Sequence, residues 1–407
     1  MHTDLHFSSR PAAAAYLEKV CFKLGPPRLV GAEVEWFTHS RTGARPDLAT
    51  LAAALGPHAP TSIAPASPHL PLPDGSVVSV EPGGQVELSS APRPAHSSLI
   101  DAVTADERHL ATVLATHGLR MSGGGADSGR PPLRILPTRR YELMERRFTR
   151  FGPFGLQMMA NTTAVQVCLD AGADPAEVNR RWHTLHVIGP ALVAAYANSP
   201  RLHGDDDVWM SQRMRCWFNL DPHRTGIPTV TDPTTRYPEW ALDAPLLGIG
   251  TPEGLVEPPA DATLGDWVEG HLDEVVDRRP TTADLHHHLT TLFPMVRPQG
   301  HLEVRYLDGQ PDGRWHVPVA VIATLLHDPD TAAEATAVAS VGADLWYDAA
   351  HCGLESEQLR DIATQLLTLA ADTATGDEST LFGAEARRCA DGLPPSASTP
   401  IRTEFAG

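Results

Sequence analysis

Glu81-Pro-Gly-Gly-Gln-Val-Glu87-Leu-Ser-Ser90 is the stretch on which the reading of this chain turns. A proline-glycine turn runs straight into an alternating segment that has carboxylates on either side. Successive side chains of a strand point to opposite faces, so Gln85 and Glu87 share one face and Val86 and Leu88 the other. A polar strand face beside a tight turn has two readings. It is a solvated surface, or it is one wall of a site for hard cations and phosphate. Other strands decide between them.

Upstream, Leu29-Val-Gly-Ala-Glu33-Val-Glu35-Trp36-Phe37 alternates in the same way, with Glu33 and Glu35 on one face. Downstream, Met158–Asp170 contains a strand that sets Gln166, Cys168 and Asp170 opposite Val165, Val167 and Leu169. Gly300–Asp308 gives a further strand with Glu303 and Arg305 side by side. Any one of these is ordinary surface. Together they are what a curved sheet needs to line a pocket holding several divalent ions. Magnesium prefers oxygen ligands, near-octahedral geometry and help from substrate phosphates. A carboxylate beside a guanidinium, as in Glu303 and Arg305, suits a place where a metal and an arginine share a transferring phosphoryl group.

Between the strands the pattern predicts helices near Ala12–Lys23 (ended by Gly25-Pro26-Pro27), Leu48–Leu55 and Leu99–Thr116, the last with Gly118 just past its end. A strand pair, Ser76–Val80 and Gln85–Ser89, hinges at Pro82-Gly83-Gly84. Pro175–Asn198 reads as a long helix that Pro190 should kink. Further helices are expected at Leu264–Arg278, Thr282–Leu292, Pro318–Leu326, Thr331–Ala339 and Glu355–Ala371. The glycines after Met121 lack the Gly-Lys-Ser/Thr ending of a P-loop and read as a flexible connection. His183 and His186, at i and i+3, are expected to pack rather than to ligate. His286-His287-His288 points in three directions around a helix and is expected to be solvated. Ser211–Gly226 concentrates Arg213, Arg215 and Arg224, either as an anion-facing surface or as partners for acids.

The totals narrow the partners. At 407 residues, with 42% hydrophobic and 20% charged residues, the composition is that of a globular protein with a large core. A net charge of −18 argues against nucleic acid or an anionic membrane as the main partner, and small-molecule substrates are expected. Five scattered cysteines without a CxxC pair are expected to be reduced thiols, and no signal peptide is read, so a cytoplasmic location is expected. The apolar runs around Val187–Ala197 and Val317–Leu326 are too short to cross a bilayer. No repeat or linker is evident. The expected architecture is one α/β (α+β) domain over 1–407, its core about 29–326, C-terminal helices reaching about 373, and a frayed tail from about 391. Oligomeric state is not legible. From the residues alone, magnesium-dependent phosphoryl chemistry is expected.

The quoted stretch also resembles the signature of the plant-type glutamate–cysteine ligases. Four others agree in order: Gly31-Ala-Glu-Val-Glu35, Thr163-Ala-Val-Gln-Val-Cys-Leu-Asp170, Ser211-Gln-Arg213…Trp217…Asp221…Arg224-Thr-Gly226 and Leu302-Glu-Val-Arg305. In length and composition the chain is most similar to the actinobacterial ligases of the ergothioneine pathway. It departs from the family where Val167-Cys168-Leu-Asp170 replaces Val-Asn-Leu-Asp, which puts any contact made by that Asn in doubt.

The resemblance implies a glutamine-synthetase-like fold, in which a curved, mainly antiparallel sheet forms a funnel flanked by helices. It implies ATP as co-substrate, two or three Mg²⁺ ions, and formation of γ-glutamylcysteine through γ-glutamyl phosphate. Carried over, Glu33, Glu35, Glu81, Glu87 and Glu303 would be the metal carboxylates. Gln166 would join them where a related bacterial ligase has a histidine. Arg305, with Glu303, would act on the transferring phosphoryl group. Arg213 would hold the α-carboxylate of glutamate, with Gln85, Trp217 and Arg224 completing the substrate contacts. The alternatives are a ligase using another amine, a metal-dependent phosphatase or nuclease, and a non-catalytic nucleotide-binding regulator.

Overall fold

The structure, a computed structural model, describes residues 5–25, 28–226 and 230–397. The Pro26-Pro27 pair and the chain beyond 397, where most of the expected frayed tail lies, fall outside the described residues. Strands in chain order are β1 (Val30–His39), β2 (Val77–Val80), β3 (Val86–Ser89), β4 (Arg120–Ser122), β5 (Ala164–Asp170), β6 (Ile249–Thr251), β7 (Gly254–Val256), β8 (Val296–Pro298) and β9 (His301–Asp308). Seven of them form one open sheet in the order β2-β3-β1-β5-β9-β8, with β4 against the far end of β1. All its pairings are antiparallel. β6 and β7 form a separate hairpin.

Register does the work of assembly. Glu35 lies opposite Glu87, Glu33 opposite Gln166, Cys168 opposite Glu303, and Arg297 opposite Glu303. Because the side-chain period is two, fixing one such pair puts Glu33, Glu35, Glu87, Glu303 and Arg305 on the same face. A register shift between Val165 and Val167 breaks the β5–β9 ladder at Gln166. Such irregularities re-aim a side chain, and here the side chain is a pocket residue. The opposite face carries Val34, Trp36, Leu88, Val165, Val167 and Val304, all buried in one apolar cluster. Helices His96–Thr116 and His316–Leu325 belong to the same cluster through Leu99, Val103, Leu110, Val321 and Leu325.

The quoted stretch folds as expected. Glu81 N–H donates to the Gln85 carbonyl at 2.8 Å, and Gly84 N–H to the Glu81 carbonyl at 2.8 Å. Gly84 takes φ +85°, where a side chain would strain the turn. Gly83 has no room for a Cβ, because the Ala160 carbonyl closes on it.

Several expectations are corrected. The residues after Met121 are not a flexible connection. Arg120–Ser122 is β4, and Gly123 and Gly125 pack against Gln310 and Asp308 with no space for a side chain. The helix expected to reach Arg278 stops at Glu269, where Gly270 takes φ +93° and caps it. The histidine triplet is only partly solvated: His286 is exposed and His287 half-buried, but His288 is neither. His288 is buried and shares a 2.8 Å hydrogen bond with the Ala241 carbonyl, while His286 meets the Tyr16 hydroxyl at 2.9 Å. The long helix divides into Pro175–Val187 and Gly189–Tyr196 at the Gly189-Pro190 step, as Pro190 foretold. Helices Arg139–Phe148, Phe154–Asn161, Pro233–Asp243 and Gly376–Ala390 were not foreseen.

Candidate active site

The polar face of the sheet floors a cavity of about 290 Å³. Glu33 and Glu35 enter it from β1, Glu87 from β3, Gln166 from β5, and Glu81 and Gln85 from the turn. Arg213 and Trp217 come from helix Gln212–Phe218. That helix is pinned by its own cap: Ser211 Oγ accepts from Met214 N–H and donates to the buried Asp308 carboxylate at 2.7 Å. Asp308 accepts a second hydroxyl, Ser199 Oγ, at 2.6 Å. The Arg213 guanidinium then donates to the Arg305 carbonyl at 2.7 Å. The Arg213 and Arg305 guanidiniums lie 5.1 and 5.6 Å from the Trp217 ring, close enough for cation–π attraction.

The carboxylates are not equivalent. Burial, and then the neighbouring Glu87 and Glu303, hold the Glu33 carboxyl well above the ordinary range. Burial with Glu87 and Glu81 does the same to Glu35, against the pull of Arg213. Glu81 is pushed up to about 7 by burial and Glu87. Glu87 is raised by burial too, although Ser79 Oγ donates to it at 2.6 Å. Glu303 behaves in the opposite way. Burial opposes its charge, but Arg297 and Arg305 prevail and bring it down to about 2. It accepts from Arg297 Nε at 2.6 Å and Nη2 at 3.1 Å, Gln299 Nε2 at 3.0 Å and Arg305 Nη1 at 2.6 Å.

This donor set suits a hard cation. Four carboxylates repel one another on one wall, and the Glu81 carboxylate accepts no hydrogen bond among the described residues. Gln85 Oε1 and Gln166 Oε1 are buried oxygens without a partner. Such orphans cost free energy unless something else satisfies them. Among the described residues, however, no three acidic, histidine or cysteine side chains already converge as a preformed metal cage.

Arg224 does not reach this cavity. It is fully buried, bonded to Thr291 Oγ1 at 2.8 Å and its carbonyl at 2.9 Å, to the Pro245 carbonyl, and ion-paired with Asp221 at 3.4 Å. That is a strut between loops, not a substrate contact. Arg215 is tied to Asp205 and Asp207. Of the three arginines in that segment, Arg213 alone lines the cavity, and the acid-pairing reading holds for the other two.

Three site residues were missed in the sequence. Arg140 and Tyr141 line the cavity from helix Arg139–Phe148, and Arg297 lines it from β8. Arg140 is held by Thr290, its Nη2 donating to the Thr290 carbonyl at 2.7 Å. The available signal for Arg297 was Arg-Pro-Gln-Gly lying one tight turn before Glu303.

Past Glu33 the sheet face continues into a second, more apolar cavity of about 450 Å³, floored by Gly31, Cys168 and Asp170 and rimmed by Lys23 and His301. Glu33 belongs to both cavities. Cys168 thus sits on the polar face as predicted, and burial followed by Glu33 and Glu303 pushes its thiol well up.

An open antiparallel sheet whose one polar face gathers four carboxylates beside several guanidiniums defines a class: a sheet-floored pocket that sets acidic and basic side chains face to face. The particular family follows from comparison. Residues 29–396 match the model of glutamate-cysteine ligase family 2 (GCS2), and the chain belongs to that family. It is 37% identical over 382 residues to glutamate–cysteine ligase EgtA of Mycolicibacterium smegmatis, covering 92% of this chain and 86% of that one. With EgtA of Mycobacterium tuberculosis (strain H37Rv) it shares 38% identity over 381 residues, 90% of this chain and 84% of that one. A solved structure of glutamate–cysteine ligase from Francisella tularensis in complex with AMP shares the fold, with a TM-score of 0.51 at 14% identity, covering 92% of this chain and 84% of that one. No helix of the described residues is long and apolar enough to cross a membrane.

Proposed function

We propose that the protein, as one catalytic unit, joins the γ-carboxyl of glutamate to the amine of cysteine at the expense of ATP, through γ-glutamyl phosphate, in a cytoplasmic thiol pathway such as that to ergothioneine. The observation that carries this reading is the pairing, across one cavity, of a wall of uncompensated carboxylates with a wall of buried guanidiniums. Bringing a carboxylate up to a triphosphate is the encounter of an anion with a polyanion, and both walls serve it.

Magnesium, when bound, supplies positive charge that neutralises the phosphates. Glu33, Glu35, Glu81, Glu87 and Gln166 would hold it. Glu303, with four donors on its two oxygens, would first have to give up a guanidinium. Arg213, stacked on Trp217, is placed to hold the α-carboxylate of glutamate. Arg305 and Arg297 face the position where charge develops as the phosphoryl group transfers. In the first step the γ-carboxylate oxygen attacks the terminal phosphorus and ADP leaves. In the second the neutral amine attacks the acyl carbon, phosphate leaves, and the amine proton is lost. The shared position of Glu33 supports a nucleotide that reaches from the polar cavity into the apolar one.

The test is ADP release with Mg-ATP and glutamate while amines are added one at a time. Strong stimulation by cysteine alone is expected. Stimulation by a different amine would replace the second substrate, and glutamate-independent phosphate release would replace the ligase with a phosphatase.

A further inference from the structure

Away from the sheet face, the outer helices Pro175–Val187 and Pro329–Ala339 leave a crevice of about 260 Å³ between them. Its floor and sides are apolar: Leu326 is buried there, with Pro329, Ala332 and Ala333 beside it. Its base is closed by a hydrogen bond between the Thr184 and Thr336 hydroxyls at 2.8 Å. Both hydroxyls have their partner.

The charges around the rim are unevenly satisfied. Asp328 is used up as a helix cap, accepting from Asp330 N–H, Thr331 N–H and Thr331 Oγ1 at 3.0, 2.9 and 2.7 Å. Glu177 accepts from Ala173 N–H at 2.9 Å and Arg181 Nε at 3.1 Å. The basic side is not used up. Arg28 spends one nitrogen on the His327 carbonyl at 3.1 Å and stands 3.9 Å from Glu177. Arg180 makes no hydrogen bond or ion pair among the described residues. His183 Nδ1 is buried without a partner. In a chain of net charge −18, this is an apolar crevice whose acids are satisfied while the guanidiniums of Arg28 and Arg180 keep unspent N–H groups and the His183 ring nitrogen has no partner. It lacks an acceptor.

We propose that this crevice is a second, non-catalytic binding site for a small monoanion with an apolar body, such as a carboxylic acid of ring size. The carboxylate faces Arg180, Arg28 and His183, and the apolar body lies on Leu326 and the alanines. The volume sets the size, since it falls just below the range of roughly 300–1,000 Å³ of ordinary ligand pockets. The site has a route to the sheet. Arg181 donates to the Asp170 carbonyl at 3.1 Å and lies 3.4 Å from its carboxylate, and Asp170 ends β5 and lines the apolar cavity.

The experiment titrates the full-length protein with benzoate and, separately, with benzamide, its uncharged counterpart of the same shape. Benzoate saturates one site and benzamide binds at least roughly tenfold more weakly, the loss expected for a charge-assisted contact. Arg180→Ala, at an exposed position, weakens benzoate by about the same factor. Ala333→Trp, also exposed, fills the crevice and abolishes binding. Both variants keep turnover with Mg-ATP, glutamate and cysteine. Equal binding of benzamide, benzoate binding indifferent to both variants, or no saturable binding of benzoate would each overturn the proposal.

Discussion

The carboxylates that line the polar cavity and the buried Glu303 just behind its Arg297 and Arg305 lining are the same kind of group, yet they are in opposite electrostatic states. On the β1–β3 side, Glu33, Glu35, Glu81 and Glu87 are crowded together and all are pushed up. On the β8–β9 side, Glu303 is clamped by Arg297 and Arg305 and brought down to about 2. Buried like charges destabilise, whereas a buried pair once made is costly to break. The first wall is unfinished without a ligand; the second is complete.

The largest effect should come from breaking the complete wall. Glu303→Ala leaves two buried guanidiniums without their counter-ion, so it should cost about 3–5 kcal/mol of stability in addition to abolishing turnover. Thermal unfolding and kcat together check this. Wild-type melting with normal turnover would remove Glu303 from both roles.

Next come the two arginines that the sequence presented alike. Arg213→Ala should raise the KM for glutamate roughly 10- to 100-fold while barely moving that for ATP. Arg224→Ala should lower stability by about 3 kcal/mol and leave the KM for glutamate unchanged in the folded fraction. Equal effects of Arg213→Ala on both KM values would sink its assignment to glutamate.

The unfinished wall predicts a pH dependence of opposite sense. A carboxyl raised above its ordinary value favours folding below that value and loses the advantage as pH rises through its folded-state pKa. For Glu81 that window runs from the ordinary carboxyl range up to about 7. The melting temperature of the ligand-free protein should therefore fall between about pH 5 and pH 8, and Mg-ATP should reverse the fall. Glu303 acts conversely, losing its contribution as pH drops toward 2. A melting temperature flat from pH 5 to 8 would break the comparison.

The smallest effect belongs to Glu87→Gln. Its oxygen can still accept from Ser79, but its charge no longer repels Glu33, Glu35 and Glu81. The ligand-free protein should gain about 1 kcal/mol at pH 8 while turnover falls. A loss of stability would show that the four acids are already compensated.

What the sequence revealed depended on period. That Glu33 and Glu35 share a face, that Gln85 and Glu87 share another strand's face, and that Glu303 sits beside Arg305 was legible because a strand sorts its residues by alternation. Arg297 was not, because β8 is three residues long and alternates too briefly to register. Arg140 and Tyr141 lie on a helix so rich in arginine and glutamate that no position stands out. Arg224 and Arg213 share one motif, and only the fold shows that one points into the cavity and the other into a loop junction. His288 failed for the same reason: its burial rests on one ring nitrogen bonded to the Ala241 carbonyl, a partner that the sequence does not name. Gly123–Gly125 looked loose because glycine marks freedom and close approach alike.

The central claim is that glutamate is activated as an acyl phosphate in this cavity. It is tested most directly by giving the enzyme glutamate labelled with ¹⁸O in the γ-carboxylate, together with Mg-ATP and cysteine, and weighing the phosphate released. The account predicts one ¹⁸O atom in each inorganic phosphate formed with the peptide. Unlabelled phosphate, or label recovered in AMP, would contradict it.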